Sequence, residues 1–336
     1  MAQTVAIGVD THKHAHVAVA LDALGVELDH CTIETTLAGY KRLLRWAQRL
    51  GEPAFAIEGC GSYGAGLQRF LEASGLLVFE CERPRRADRR RGKNDLVDAR
   101  LAARRVLSGD GLSTPRGGGA QREQLRLLLA ERSGAVQART AALNHLHALI
   151  VTAPDPLRQR LAAIPKRRLA KTTAALRPGN DGLTGVLRRI GRRAELLSRE
   201  IAEIDHTLAP LVTQTAPQLL AECGVGAVCA GQLLVSSGDP KRMKSEASFA
   251  ALADTSPVDA SSGKHQHHRL NRGGDRQLNR ALHVITLQRI RRHPETIAYY
   301  QRLLTTGKTN REARRCIKRA LARRLYHLLR HTPLTT

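Results

Sequence analysis

Four carboxylates stand where metal-assisted chemistry would need them. Asp10 closes an apolar, β-rich run (VAIGVD), Glu58 closes another (FAIEG), and Asp95 and Asp98 open the helix pattern NDLVDARLAARRVL. Residues three apart share a helix face, so Asp95 and Asp98 can aim at one point. Acids at the ends of two neighbouring strands would meet them there. Unpaired, four such groups repel one another, and divalent cations are their natural neutralisers. Two hard cations bridged by the set would align an attacking and a leaving oxygen on one phosphate. Any one of these acids alone is an ordinary loop or cap residue. The set, each member at the end of its element, points to a metal site at Asp10, Glu58, Asp95 and Asp98.

The surroundings suit a polyanionic substrate. Nine arginines fall between Cys81 and Arg105. Arg85, Arg86, Arg89, Arg90, Arg91 and Lys93 run straight into the Asp95/Asp98 helix, and are read as contacts to a phosphate backbone. His12, His14 and His16 alternate after Asp10 and are read as the surface of an edge strand rather than a transition-metal site. Far downstream, Ser261 and Ser262 precede Gly263 in a polar loop with Lys264, Arg269 and Arg272. Serine before glycine is commonplace, so the residues alone leave a nucleophile there as the minority reading. The stretch CGVGAVCAGQLL (Cys223 to Leu234) has a Gly-x-Gly turn before an apolar helix. It is either a phosphate-approaching helix-hairpin-helix or an ordinary helix start.

The elements that must hold these groups follow from periodicity. Strand patterns at Thr4–Val9, Val17–Leu21 and Leu28–Glu34 are separated by turn-like breaks that suit hairpins. A helix at Gly39–Leu50, a strand at Ala54–Ile57, a helix at Ala65–Ala73, a strand at Leu76–Phe79 and a helix at Asn94–Leu107 follow. Three hairpin-connected strands before βα units give the order βββαβαβα, a ribonuclease-H-like arrangement in which the first and fourth strands are neighbours. Gly109–Gly119 reads as a joint and Gln121–Val151 as a helix closed by Pro154 and Pro156. From Leu183 to Leu211, apolar residues recur in steps of four and three. This heptad seam is either one helix of a bundle within the chain or an intermolecular or antiparallel coiled coil. Subunit assembly through Leu197 and Ile201 is the favoured use. After Pro217 the pattern is mostly helical. The fold class is α/β plus α: an RNase H-like domain at 1–152, a helical coiled-coil segment at 153–215, and a mostly helical domain at 216–336.

Charge is unevenly divided. The 336 residues carry 54 Lys+Arg against 30 Asp+Glu, a net charge of +24. Residues 1–80 hold 6 basic and 9 acidic side chains, so the remainder carries +27. Nucleic acid is the partner that such an excess fits best, because neutralised phosphates release counterions. No stretch reaches the roughly 20 apolar residues of a membrane span, and no signal-peptide pattern opens the chain. The six cysteines form no CxxC pair, and reduced thiols in a cytoplasmic protein are expected.

The blocks GVDTHK (Gly8 to Lys13), AIEGCGSYG (Ala56 to Gly64) and KNDLVDAR (Lys93 to Arg100) resemble those of the DEDD-type insertion-sequence transposases, whose first domain is similar to the Holliday-junction resolvase RuvC. GVGAVCAGQLL, SFAALADTSPV, SSGKHQHHRLNRGG and QLNRAL resemble the second domain of that family. The resemblance spans nearly the whole chain, in family order. It implies catalytic acids at Asp10, Glu58, Asp95 and Asp98 with Mg²⁺, and a catalytic serine at Ser262, with Ser261 as the fallback. It further implies a bacterial or archaeal, nucleoid-associated recombinase acting on element ends and target DNA, guided by a noncoding bridge RNA and working as a homo-oligomer. The runner-up is a RuvC-like junction-resolving nuclease without covalent strand transfer, which would leave the serine block unused.

Overall fold

A computed structural model describes residues 4–81, 94–115, 119–177, 182–239, 242–259, 268–271 and 273–331. The chain divides into two compact units, Met1–Gly117 and Gly118–Thr336. Among the described residues, no helix is long and apolar enough to cross a membrane.

The first unit is built on one mixed sheet. Its strands are β1 (Thr4–Thr11), β2 (Ala15–Leu21), β3 (Glu27–Glu34), β4 (Glu52–Glu58), β5 (Leu77–Cys81) and the two-residue β6 (Leu112–Ser113), in spatial order β3-β2-β1-β4-β5-β6. β1, β2 and β3 pair antiparallel, while β4 lies parallel to β1 and β5 parallel to β4. The first and fourth strands are therefore neighbours, as expected. β6 pairs antiparallel with β5 inside the stretch read as a plain joint.

Side-chain alternation along β1 decides what each face holds. Val5, Ile7 and Val9 face one core with Leu43 and Trp46 of α1 (Leu37–Leu50) and Leu67 and Leu71 of α2 (Ala65–Ala73). Ala6 faces the other core, with Ala99 and Ala103 of α3 (Asp95–Ser108). Gly8 and Asp10 share the parity of Ala6. A Cβ on residue 8 would lie 2.0 Å from the Ala99 carbonyl oxygen and 2.2 Å from the Ala103 nitrogen. Only glycine lets α3 come this close, and the small Ala99, Ala102 and Ala103 complete the approach.

The second unit is helical. Its long helices are α4 (Ala120–Val151) and α7 (Leu183–Thr215), with α5 (Asp155–Ala162) and α6 (Lys166–Ala174) between them. Leu125 shares a buried cluster with Leu208 and Val212, Arg132 pairs with Asp205 at 2.6 Å, and Leu146 and Ile150 cluster with Leu187 and Ile190. Early residues of α4 thus meet late residues of α7, so the two helices run antiparallel. Most of the heptad seam is buried inside the chain, against α4 and α6, and not between subunits as favoured from the sequence, with Leu183, Leu197 and Leu211 half-buried. Its period specified a buried face without specifying whose helix covers it.

The remaining elements are α8 (Pro217–Leu220), α9 (Ala227–Ser237), α10 (Glu246–Leu252), the hairpin β7 (Pro257–Asp259) and β8 (His268–Leu270), α11 (Arg276–Arg292), α12 (Pro294–Thr305) and α13 (Asn310–Arg330). Phe249, Leu278, Leu282, Ile317 and Leu325 lie in their shared core. Gly224, at φ 84°, stands against α11, where a Cβ would come within 3.1 Å of Gln288 and 3.2 Å of the Ile285 carbonyl. That glycine is explained by helix packing, the ordinary-start reading of the Gly-x-Gly turn.

Candidate functional site

Asp10 sits at the end of β1 on the face covered by α3 and is buried. The first turn of α3 brings the other acids to it. Asn94 caps that helix, its side chain accepting from the Leu96 amide at 3.0 Å, and fixes where Asp95 and Asp98 emerge. Asp98 is buried and Asp95 half-exposed. Both suit a helix N-terminus, where the partial positive charge favours carboxylates.

His12 completes the cluster. Its Nε2 lies 3.3 Å from Asp10 Oδ2 and 3.2 Å from Asp95 Oδ2. One ligand atom from each of Asp10, His12 and Asp95 falls within 4.8 Å of the others. Burial raises the Asp10 pKa above its ordinary value; His12 opposes the shift, and the charges of Asp95 and Asp98 add to it. A divalent cation would relieve both the desolvation and the repulsion. Two carboxylates and an imidazole form a mixed oxygen and nitrogen donor set that fits such an ion.

Glu58 ends β4, one rank beyond the Val9–Ile57 pair, and the Thr11 hydroxyl donates to its carbonyl at 2.7 Å. The backbone thus sets Glu58 beside Asp10, while its carboxylate lies outside the 4.8 Å set. Its charge reaches Cys81, its partner in register, whose thiol is pushed to about 12 mainly by burial, with Arg105 opposing and Glu58 adding.

The three histidines do not form an edge-strand surface. β1 and β2 are interior strands, and a turn separates His12 from His16. His14 is exposed, whereas His16 is buried and stacked on Tyr40 with ring centroids 6.1 Å apart. Burial lowers its pKa. The place of His12 beside Asp10 and Asp95 was missed from sequence. The signal was its place two residues after Asp10, hidden by the regular alternation with His14 and His16 that suggested a shared strand surface.

In the second unit, β7 and β8 bracket residues 260–267. Ser261, Ser262 and Lys264 lie outside the described residues, as do Arg272 and the basic run Arg85, Arg86, Arg89, Arg90, Arg91 and Lys93. Arg269 is exposed on β8. The base of the hairpin is firmly tied. Asp254, at φ 55°, accepts from the Gly274 amide at 2.6 Å, and the Asp275 amide donates to the Leu252 carbonyl at 2.6 Å. Asp275 caps α11 and accepts from the Ser236 hydroxyl at 2.9 Å. Gly274 is required there, since a Cβ would meet the Leu252 carbonyl at 2.4 Å.

Two family models match the chain. A transposase model of the DEDD type found in IS110 elements matches residues 7–153, and the model described as "Transposase IS116/IS110/IS902 family" matches residues 216–301. The chain is 26% identical, over its full length and 99% of the relative, to the "insertion element IS900 uncharacterized 42 kDa protein" of Mycobacterium paratuberculosis. It is also 32% identical to the "insertion element IS110 uncharacterized 43.6 kDa protein" of Streptomyces coelicolor, over 37% of this chain and 29% of that one.

Proposed function

The chain belongs to the IS110 family of transposases, and we propose that it cuts and rejoins DNA to move its own insertion sequence by way of a serine-linked intermediate. The observation that carries this reading is the gathering of Asp10, His12 and Asp95 within 4.8 Å at the end of β1, with Asp98 buried in the same helical turn as Asp95. In this reading, residues 1–152 are a RuvC-like acid domain, 153–215 a helical segment and 216–336 the serine domain. The matched spans 7–153 and 216–301 support that division. The strand order β3-β2-β1-β4-β5 supports an RNase H-like sheet.

Asp10, Asp95 and Asp98, with Glu58 on the neighbouring strand, would hold divalent cations, Mg²⁺ in this reading. When bound, the cations supply Lewis-acid polarisation of the scissile phosphate. Ser262 attacks phosphorus through Oγ and loses its proton. The bond from phosphorus to the 3′ oxygen breaks, giving a free 3′-hydroxyl and a 5′-phosphate esterified to the serine. The 3′-hydroxyl of another strand then attacks the phosphoserine. The bond to Oγ breaks, the serine regains a proton and the strand is sealed without an outside energy source. Arg85, Arg86, Arg89, Arg90, Arg91, Lys93, Lys264, Arg269 and Arg272 hold the phosphates of DNA and of an element-encoded guide RNA, and a homo-oligomer, a dimer or tetramer, brings the element ends together at the nucleoid.

The test is a denaturing gel of end-labelled element DNA with peptide mapping. Ser262→Ala is expected to bind DNA and RNA but to form no covalent adduct. An adduct that persists in Ser262→Ala and vanishes in Ser261→Ala would move the nucleophile by one residue. Cleavage by the unmutated protein with no adduct would replace the recombinase with a metal-dependent resolving nuclease.

A further inference from the structure

A groove of about 730 Å³ opens between the base of the β7–β8 hairpin and α13. Its charge is strongly one-sided. Arg269 comes from β8, Lys308 from the turn before α13, and Arg315, Lys318, Arg319 and Arg323 from α13 itself. The α13 positions recur at steps of three and four, so they form one stripe. At 1.5 Å per residue the stripe runs about 12 Å from Arg315 to Arg323.

The two carboxylates in the lining spend their hydrogen bonds on backbone and cap groups, although Glu312 faces Lys308 and Arg315 and Asp254 faces Lys318. Glu312 closes the capping box of α13, accepting from the Thr309 amide at 2.8 Å and its hydroxyl at 2.7 Å. Asp254 holds the Gly274 amide. Arg323 has an acid partner in Glu246, at 3.0 Å. Among the described residues, Arg269, Lys308, Arg315 and Arg319 form no ion pair within 4.0 Å.

Two further features ask for an anion. Arg319 Nη1 is buried with no hydrogen-bond acceptor among the described residues, a state that costs free energy until an acceptor arrives. Lys318 is fixed in place, its ammonium donating to Asn279 Oδ1 at 2.8 Å while the Asn279 amide donates to the Ala253 carbonyl at 2.7 Å. An ammonium has three donors, so this leaves two for a ligand. Burial, reinforced by Arg315 and opposed by Asp254, pulls the Lys318 pKa down, and a bound anion would restore it.

Tyr299 adds an apolar surface to the lining, its ring steadied by the Arg302 guanidinium 5.2 Å from the ring centroid. A row of cations beside an aromatic ring in a narrow groove is the arrangement that takes an unpaired strand, its phosphates along the cations and a base against the ring. A cavity of this size is on the scale of a drug-sized ligand.

We propose that this groove binds a short single-stranded segment of nucleic acid, with its phosphates on Arg315, Lys318 and Arg319 and a base packed against Tyr299. The proposal rests on the recombinase reading for its choice of nucleic acid, and names the part of the substrate that the second unit holds beside the hairpin.

The test uses the full chain in EDTA, so that binding is read without cleavage. An oligothymidylate of eight nucleotides carrying 5-iododeoxyuridine is photocrosslinked and the adduct mapped, and the affinity is measured across a salt series. The expected crosslink lies on Tyr299. Arg315→Gln/Arg319→Gln should weaken binding at least tenfold and reduce the slope of log affinity against log salt by about 1.4, from about 0.7 per phosphate contact on a single strand. Arg315→Lys/Arg319→Lys should keep the slope. Lys308→Gln/Arg315→Gln, which alters exposed side chains, removes the Arg315 contact where folding is not at issue and should lower the slope by about 0.7. Tyr299→Ala should weaken binding roughly tenfold and Tyr299→Phe should not. Competition with octauridylate shows whether RNA or DNA is the preferred strand.

Crosslinks mapping outside the groove, an unchanged slope in both glutamine pairs, or equal competition by duplex would each overturn the proposal. Crosslinking at Tyr299 in a protein that never forms an adduct with metal would keep the groove and remove the recombinase. An adduct with no groove crosslink would do the reverse.

Discussion

Gly8→Ala tests whether the packing of α3 on β1 sets the acid site. The substitution is minimal and far from unfolding the sheet, yet its Cβ would lie 2.0 Å from the Ala99 carbonyl and 2.2 Å from the Ala103 nitrogen. Both are backbone atoms, so no side chain can swing aside. Restoring the 3.4 Å of ordinary contact requires α3 to retreat by about 1.4 Å. Asp95 and Asp98 ride on that helix, whereas Asp10 is two residues along β1 on the same face. The retreat therefore opens the gap across which His12 now spans 3.3 Å and 3.2 Å. Overpacking of this kind costs about 1–3 kcal/mol in stability, while a misplacement of about 1 Å at a reacting centre costs on the order of 100-fold in rate. The assay is strand cleavage at saturating Mg²⁺ alongside thermal unfolding and terbium luminescence for cation affinity. A folded protein with cleavage and cation affinity both sharply reduced is expected. Gly134→Ala is the matched control. That glycine lies exposed in α4 with nothing within 4 Å of the added Cβ, so the change should stabilise slightly, by roughly 0.5–1 kcal/mol. Wild-type cleavage and melting in Gly8→Ala would refute the argument that this contact positions the acids.

Three further outcomes are expected. His12→Asn should lower affinity for Zn²⁺ or Co²⁺ by on the order of tenfold or more, and for Mg²⁺ much less, in equilibrium dialysis, because imidazole suits the softer ions; equal losses for all three would take His12 out of the ligand set. Ile201→Asp, at a buried position of α7, should cost at least the roughly 2–5 kcal/mol of a large-to-small core change in denaturant unfolding, with sedimentation mass unchanged; a stable fold of lower mass would return the seam to a subunit interface. Glu222→Gln should destabilise the second unit by about 3 kcal/mol, because Arg289, nearly buried at 3.4 Å from Glu222, loses its acid partner, and Arg324 loses one of its two donated bonds, the glutamine amide nitrogen being no acceptor. The Arg324 hydrogen bonds hold the Glu222 carboxyl below its ordinary value. Its stabilisation is therefore full above the unfolded pKa and fades as pH falls through the folded one. The gap between wild type and Glu222→Gln should close in acid below about pH 4; a gap constant with pH would show that the charge of Glu222 is not what stabilises.

What the sequence disclosed, and what it withheld, follows from the range of each interaction. β1 was legible because VAIGVD is a local apolar run, and parity along it already placed Asp10 on the face of Gly8. The i,i+3 spacing of Asp95 and Asp98 was likewise local. Their meeting with Asp10 needed only one helix returning to the face of β1. His12 was withheld because regular alternation through His16 imitates a strand, whereas the chain turns after Thr11 and resumes at Ala15. Two residues of β6 in a glycine-rich stretch give too short a pattern to register. The seam from Leu183 to Leu211 announced a buried face, but its partner α4 begins more than sixty residues upstream, and a heptad carries no record of which helix fills its holes. The same separation explains why α4 belongs by sequence to the span matched by the first family model, 7–153, and by packing to the second unit, which starts at Gly118. Leu125 and Leu146 are buried against α7 and its neighbours, not against the sheet. A helix that follows directly on the first unit in sequence is thus clamped into the helical unit by its side chains. Cutting the chain at residue 152 to isolate the acid domain would strip α7 of the helix that covers its seam, so a fragment ending near Gly117 is the one whose core is complete.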